Sequence, residues 1–156
     1  MKSYILQLDF SASFDRVSHR GLLFKLKSIG VGGSVLSFCR EFLSNCRQRV
    51  VSDDPTSEWI QIISGMPQGS VLALLFILYT SEMFELVENR LYAYAVVSML
   101  LALVCKPADR PAVAASLNRD LARIKEWCNH WCMILNPIKT EALVFSRSRT
   151  VKPSQW

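Results

Sequence analysis

The chain predicts an α+β fold, with a largely antiparallel sheet and helices segregated from it. Three observations carry this. The first is the uncharged run Leu91 to Val104 (LYAYAVVSMLLALV), bounded by Arg90 on one side and by Cys105 and Lys106 on the other. Its two Tyr, adjacent Val pair and aliphatic tail predict paired strands in the middle of a sheet. The second is a pair of strand-like segments near the two ends, Tyr4 to Phe10 and Thr140 to Ser146. The third is the stripe Val113, Leu117, Leu121, Ile124, Trp127, Cys128 and Trp131, whose steps of mostly three or four predict a helix from Arg110 to about Trp131.

In order, YILQLDF is a buried or half-buried strand with Asp9 at its end. Ser18 caps a helix whose apolar face is Leu22, Leu23, Leu26 and Ile29, stopped by Gly30. Gly32 and Gly33 form a hinge, and Ser34 is the expected cap of a second helix using Val35, Leu36, Cys39, Phe42 and Leu43. Arg47 to Val51 and Glu58 to Ile63 predict two strands joined across Asp53-Asp54-Pro55-Thr56. Ser64 to Ser70 (SGMPQGS) is a loop, and Ser70 caps an apolar helix from Val71 through Tyr79, expected to reach Val87. The central run then forms a hairpin turning near Ala95 to Met99, although Val-Val is a poor turn pair. Asp109 caps the long helix, Pro111 is tolerable in its first turn, and Asn136-Pro137 turns into the last strand.

At 156 residues the chain is long enough for one domain with its own core, expected over 1–146, followed by a loose basic tail over 147–156. Hydrophobic residues make up 51% and charged residues 20%, and the formal charge is +5. That balance permits weak attraction to nucleic acid without being a binding signature; Arg47, Arg49, Arg147, Arg149 and Lys152 are the groups that could touch phosphates. Five cysteines and no leader before the first strand predict an intracellular, reduced chain, nuclear or cytoplasmic and not secreted. Cys128 and Cys132 read as buried free thiols rather than as zinc ligands with His130. Leu91 to Cys105 is too short for a span, so no membrane residence is expected.

Asp9-Phe10-Ser11-Ala12-Ser13-Phe14-Asp15, the loop and helix SGMPQGSVLALLFILY, the run LYAYAVVSMLL and the downstream stretch from Leu117-Asn118 through WCNHWCMILN to Lys139-Thr140 and Phe145-Ser146 stand in this order along nearly the whole chain. Together they resemble the palm of a reverse transcriptase from non-LTR (LINE-type) retrotransposons. The first resembles the family's DFSKAFD motif and the second its GxPQGS loop. The third stands where YADD is expected, and the fourth resembles the W..W.M.LN..KT pattern. The resemblance implies a palm-like antiparallel sheet packed against helices, lacking full fingers and thumb. It also implies a primer–template of RNA and DNA as partner and addition of a deoxynucleotide to a primer 3′ hydroxyl with two Mg²⁺ ions. Asp9 would be a metal ligand and catalytic residue, and Phe14 the gate against a ribose 2′ hydroxyl. Gln68 and Gly69 would contact nucleotide and template, and Lys139 would lie near the incoming triphosphate as a proton donor. As a plain residue, Phe14 reads as packing, Gln68-Gly69 as a turn, Lys139 as a solvated charge, and Trp127 and Trp131 as core.

The departures matter as much. Val96 and Val97 stand at the positions of the two adjacent aspartates, the second motif reads VLALLF where VLGPLLF is usual, and the Lys-Ala pair of the first motif is absent. Mg²⁺ requires oxygen ligands, mostly carboxylate, and valine offers methyl groups only. The expectation is therefore an inactive centre with Asp9 as a vestigial ligand position and no Mg²⁺ bound productively. Two other readings stand beside it: a non-enzymatic nucleic-acid or protein-interaction module, and a decayed product without selected function.

Overall fold

Alternation of Tyr4, Leu6, Leu8 and Phe10 gives the first strand one inward face: Tyr4, Leu8 and Phe10 are buried. The computed structural model describes residues 2–52, 55–66, 73–94 and 98–146. Its elements are β1 (Lys2–Asp9), α1 (His19–Ser28), α2 (Gly33–Leu43), β2 (Arg47–Gln48), β3 (Ile60–Gln61), α3 (Ala73–Thr80), α4 (Met83–Leu86), β4 (Arg90–Tyr94), β5 (Ser98–Cys105), α5 (Arg110–His130) and β6 (Glu141–Ser146). A 3-10 turn at Pro107–Asp109 leads into α5. The chain divides into two compact units: Met1–Ser11, Glu82–His130 and Ile134–Trp156 form the first, Ala12–Ser81 and Trp131–Met133 the second.

The first unit is built on a four-stranded sheet in the order β4-β5-β1-β6. Every neighbouring pair is antiparallel: Lys2 faces Cys105 and Asp9 faces Ser98 across β1 and β5, while Lys2 to Gln7 pair with Ser146 to Glu141. The run beginning at Leu91 was expected at the sheet centre. Its second strand, β5, is internal, whereas among the described residues β4 pairs only with β5 and forms an edge. Helix α5 buries Val113, Leu117, Asp120, Ile124, Trp127 and Cys128; of the predicted stripe, Leu121 is half-buried and Trp131 lies beyond the helix end, and a carboxylate is added. Completely enclosed, Asp120 accepts the backbone N–H groups of Glu88 (2.9 Å) and Asn89 (3.0 Å) and the side-chain amide of Asn89 (2.6 Å). That carboxylate holds the turn leading into β4 against the helix. Outside it, exposed Glu88 bonds Arg123 (2.8 Å) and Arg119 (3.2 Å); the Arg123 hydrogen bond first, then that of Arg119, holds its carboxyl below the ordinary range.

In the second unit, Ser18 caps α1 as expected, its hydroxyl accepting the Gly21 N–H at 3.2 Å. Leu22 and Leu26 are buried, each such side chain contributing about 1.5–3 kcal/mol. Ile29 turns out 56% exposed because the helix ends at Ser28 and the chain departs through Gly30 at φ +88°. The N-cap of α2 is Gly32, not Ser34: extended Gly32 already turns the chain, which leaves Ser34 inside the first turn. The strands expected over Arg47 to Val51 and Glu58 to Ile63 pair only as Arg47–Gln61 and Gln48–Ile60. Val50, Val51, Trp59, Ile60 and Ile63 stay exposed, so no packed layer extends this ribbon. Asp53, Asp54 and Ser70 lie outside the described residues.

Helix α3 is apolar along its length yet buries one side, Phe76, Tyr79 and Thr80. It was expected to run to Val87 and stops at Thr80. The hydroxyls of Thr80 and Ser81 bond back to Phe76 (3.0 Å) and Leu78 (2.9 Å), competing with the backbone ladder, and α4 starts afresh at Met83. No helix among the described residues is long and apolar enough to cross a membrane.

Candidate functional site

Asp9 is the last residue of β1 and is 8% exposed. Its position is fixed from two sides. Across β5 it faces Ser98, the residue that follows segment 95–97 in the chain. On the other side the strand is stitched to the loop beyond α5. Phe10 bridges Leu135, Ser11 N–H donates to the Ile134 carbonyl (2.8 Å), and Asn136 N–H donates to the Asp9 carbonyl (2.7 Å). Asn136 then folds the loop back on itself, its Oδ1 accepting the N–H groups of Ile138 (3.0 Å) and Lys139 (3.3 Å) while its carbonyl accepts the Thr140 hydroxyl (2.7 Å). The outcome is an ion pair: Lys139 Nζ lies 3.6 Å from Asp9 Oδ2, the carboxylate side chain 11% exposed and the lysine 70%.

In the second unit a short ladder joins Phe14 to Ser18 with Ser64 to Met66. Gly65 N–H donates to the Val17 carbonyl (2.8 Å), Met66 N–H to the Phe14 carbonyl (3.0 Å), and Ser18 bridges Ser64. Gly65 has φ +96°, and a Cβ there would meet the Asp15 backbone at 3.2 Å, so both conformation and space select glycine. His19 Nε2 lies 2.7 Å from the Gly65 carbonyl and locks the loop from the start of α1. Phe14 is half-buried, its ring 4.9 Å from that of Phe76.

Beside this ladder an open cleft of about 440 Å³ is lined by Asp15, His19, Gln48, Gln61, Gly65 and Met66 among others. Its described lining carries no Lys or Arg. A smaller apolar cavity of about 190 Å³ lies in the first unit between β1, α5 and β6. On the β2–β3 ribbon, the Arg49 guanidinium lies 4.6 Å from the centre of the Trp59 ring.

Of the site residues expected from sequence, Asp9 and Lys139 are thus brought together, and Phe14 belongs to the other unit. Val96, Val97, Gln68 and Gly69 lie outside the described residues, as do Arg147, Arg149 and Lys152. Among the described residues, the donors at this strand end do not fit two Mg²⁺ ions. Asp9 supplies the one expected carboxylate, an ammonium already faces it, and the residues at 96 and 97 have hydrocarbon side chains. No group of three or more His, Cys, Asp or Glu suited to a metal occurs among the described residues. Cys128 is buried, with its thiol pushed up to about 11 by desolvation; Cys132, expected to be buried, is exposed because the chain has already left α5. Trp127 is core, and Trp131 is half-buried over Lys25.

Residues 1–153 match the model of the family Reverse transcriptase (RNA-dependent DNA polymerase). The probable RNA-directed DNA polymerase from transposon X-element of Drosophila melanogaster is 30% identical over 152 residues, covering 95% of this chain and 16% of that protein. The RNA-directed DNA polymerase from mobile element jockey of Drosophila funebris is 28% identical over 149 residues, 90% of this chain and 16% of that protein. The chain therefore spans about one sixth of the length of these relatives. Among solved structures, apo telomerase from Candida tropicalis, truncated from its C-terminal domain, superposes with a TM-score of 0.69 at 16% identity, over 98% of this chain and 32% of that one. Telomerase from the same organism in complex with the TWJ fragment of telomeric RNA gives 0.62 at 12%, over 99% and 28%.

Proposed function

The chain belongs to the reverse transcriptase (RNA-dependent DNA polymerase) family, as a domain related to the polymerases of non-LTR retrotransposons, and from that premise we propose that it is a polymerase palm whose catalytic centre is lost. The observation that carries this reading is the pair Val96-Val97 in the frame LYAYAVVSML, where the family resemblance expects two aspartates. Nucleotidyl transfer in the family uses two Mg²⁺ ions, one to lower the pKa of the attacking hydroxyl and both to steady the oxygens of the transferring phosphate. Here one carboxylate, Asp9, remains beside the start of β5. Two divalent cations held by it would face mutual repulsion with a single fixed negative charge to offset them.

Phe14, Gln68 and Gly69 keep the residue types of nucleotide and template contacts, and Lys139 keeps that of the basic residue near the triphosphate. In this reading they are inherited positions around a centre that no longer turns over. Loss of the aspartates is compatible with folding, because valine is a strong strand former and clustered carboxylates without metal repel one another. The chain works inside the cell, in nucleus or cytoplasm, and its contact with a primer–template is weak.

Primer extension tests the proposal. On a primed RNA template with Mg²⁺ and deoxynucleotides, no product is expected above an Asp9→Asn control, and Val96→Asp/Val97→Asp is the comparison for regained incorporation. Incorporation by the unaltered chain that depends on Asp9 would refute the loss of catalysis. A second reading, a non-enzymatic nucleic-acid module, draws on Arg49 stacked over the 55% exposed Trp59, a guanidinium–aromatic surface suited to bases and phosphates. It requires binding to a primer–template that weakens steeply with salt and falls in Arg49→Ala/Trp59→Ala.

A further inference from the structure

We infer that Lys139 serves this chain as a fixed counter-cation for Asp9, so that the end of β1 is built to fold without metal. The inference rests on reading Val96 and Val97 as lost ligand positions, and it assigns the surviving carboxylate a different partner.

A carboxylate 11% exposed has given up most of its hydration and needs compensation. In this structure, an ammonium stands 3.6 Å away, and its backbone is not free to wander. The Asn136 side chain accepts the Lys139 N–H, and Asn136 N–H is itself bonded to the Asp9 carbonyl. Ser11, Phe10, Leu135 and Ile134 close the same seam from the other side. What remains to be ordered is the lysine stem alone, which lowers the entropic cost that makes most exposed ion pairs worthless. The pair is also asymmetric. Lys139, 70% exposed, keeps much of its water while neutralising a charge that has lost most of its own.

Magnesium competes poorly for such a position. It surrenders its water shell reluctantly and requires near-octahedral oxygen geometry. Beside Asp9 it would meet a resident positive charge, and the sequence supplies valine at 96 and 97 in place of further acids.

Thermal unfolding of the full chain decides the matter, comparing wild type, Lys139→Met, Lys139→Arg, Asp9→Asn and the Asp9→Asn/Lys139→Met double variant. Each is melted in MgCl₂ and in NaCl of equal ionic strength. Lys139→Met is expected to lower Tm by about 2–4 °C, Lys139→Arg to restore it, and the double variant to melt with Asp9→Asn. The wild-type Tm is expected to be the same in the two salts. A Lys139→Met chain that melts with wild type overturns the inference. So does a wild-type Tm raised by MgCl₂ over NaCl through Asp9. Primer extension is read separately: activity with a metal-insensitive Tm overturns the loss of catalysis, and a metal-raised Tm without activity overturns the counter-cation.

Discussion

Lys25 holds its ammonium 3.9 Å from the centre of the Trp131 ring and donates a hydrogen bond to the Tyr79 carbonyl. Its residue is 3% exposed, so a charge from α1 is enclosed between the end of α3 and a half-buried indole. The pairing ties together three segments distant in sequence and replaces lost hydration with a carbonyl and the negative face of a ring. Lys25→Met keeps the stem and removes the charge. It is expected to destabilise the chain by about 2–3 kcal/mol, seen as a lower urea midpoint at unchanged slope. An unchanged midpoint contradicts the pairing.

The ladder that positions Phe14 depends on Gly65. At φ +96°, with the Asp15 backbone 3.2 Å from any added Cβ, alanine is strained both locally and against its neighbour. Gly65→Ala is expected to cost about 1–2 kcal/mol, measured by chemical denaturation. An alanine variant as stable as wild type would show that the turn relaxes without loss.

Asp120 gives a third case. Truncating this fully enclosed carboxylate removes the acceptor of two backbone N–H groups, while the Asn89 amide, its third donor, keeps a bond to Ser116 Oγ (2.9 Å). Asp120→Ala is expected to lose about 3 kcal/mol, and Asp120→Asn, which keeps an acceptor oxygen, less. Equal losses for the two would place the effect in packing rather than in hydrogen bonding.

Cys128 links burial to pH. Its folded pKa, near 11, lies above the ordinary thiol value of 9.0, so the folded chain retains a proton that the unfolded chain releases. The associated stability is complete below pH 9 and falls as pH rises through 11. Cys128→Ala is expected to flatten that fall, and native Cys128 to resist alkylation at pH 8 under conditions that label exposed Cys132. Equal labelling of the two in the native chain would contradict the burial.

Much of this fold was legible in the sequence. Period-two alternation in YILQLDF, the spacing of the Val113 to Cys128 stripe and Ser18 as a cap are local signals with local outcomes. Other features were set by partners far along the chain. Lys25 and Asp120 sit on helices where a charge normally means solvent, and they are buried because Tyr79, Trp131, Glu88 and Asn89 come from elsewhere to satisfy them. The break at Ser81 arises from hydroxyl competition that an apolar helix pattern hides. For the candidate site, the residue types were readable and the Asp9–Lys139 pairing was not, since 130 positions separate the two and the Asn136 turn closes the distance. His19 was missed because a histidine at the start of a helix gives no hint that a loop carbonyl 46 residues on will meet it.

On the proposed reading, valine at 96 and 97 stands where this family's chemistry requires acidic oxygens. Diffraction at the manganese edge from crystals soaked with Mn²⁺ and a deoxynucleotide tests it most directly. No anomalous peak beside Asp9 is the predicted result. Two peaks about 3.5–4 Å apart at that carboxylate, the spacing of a working two-metal centre, would contradict it.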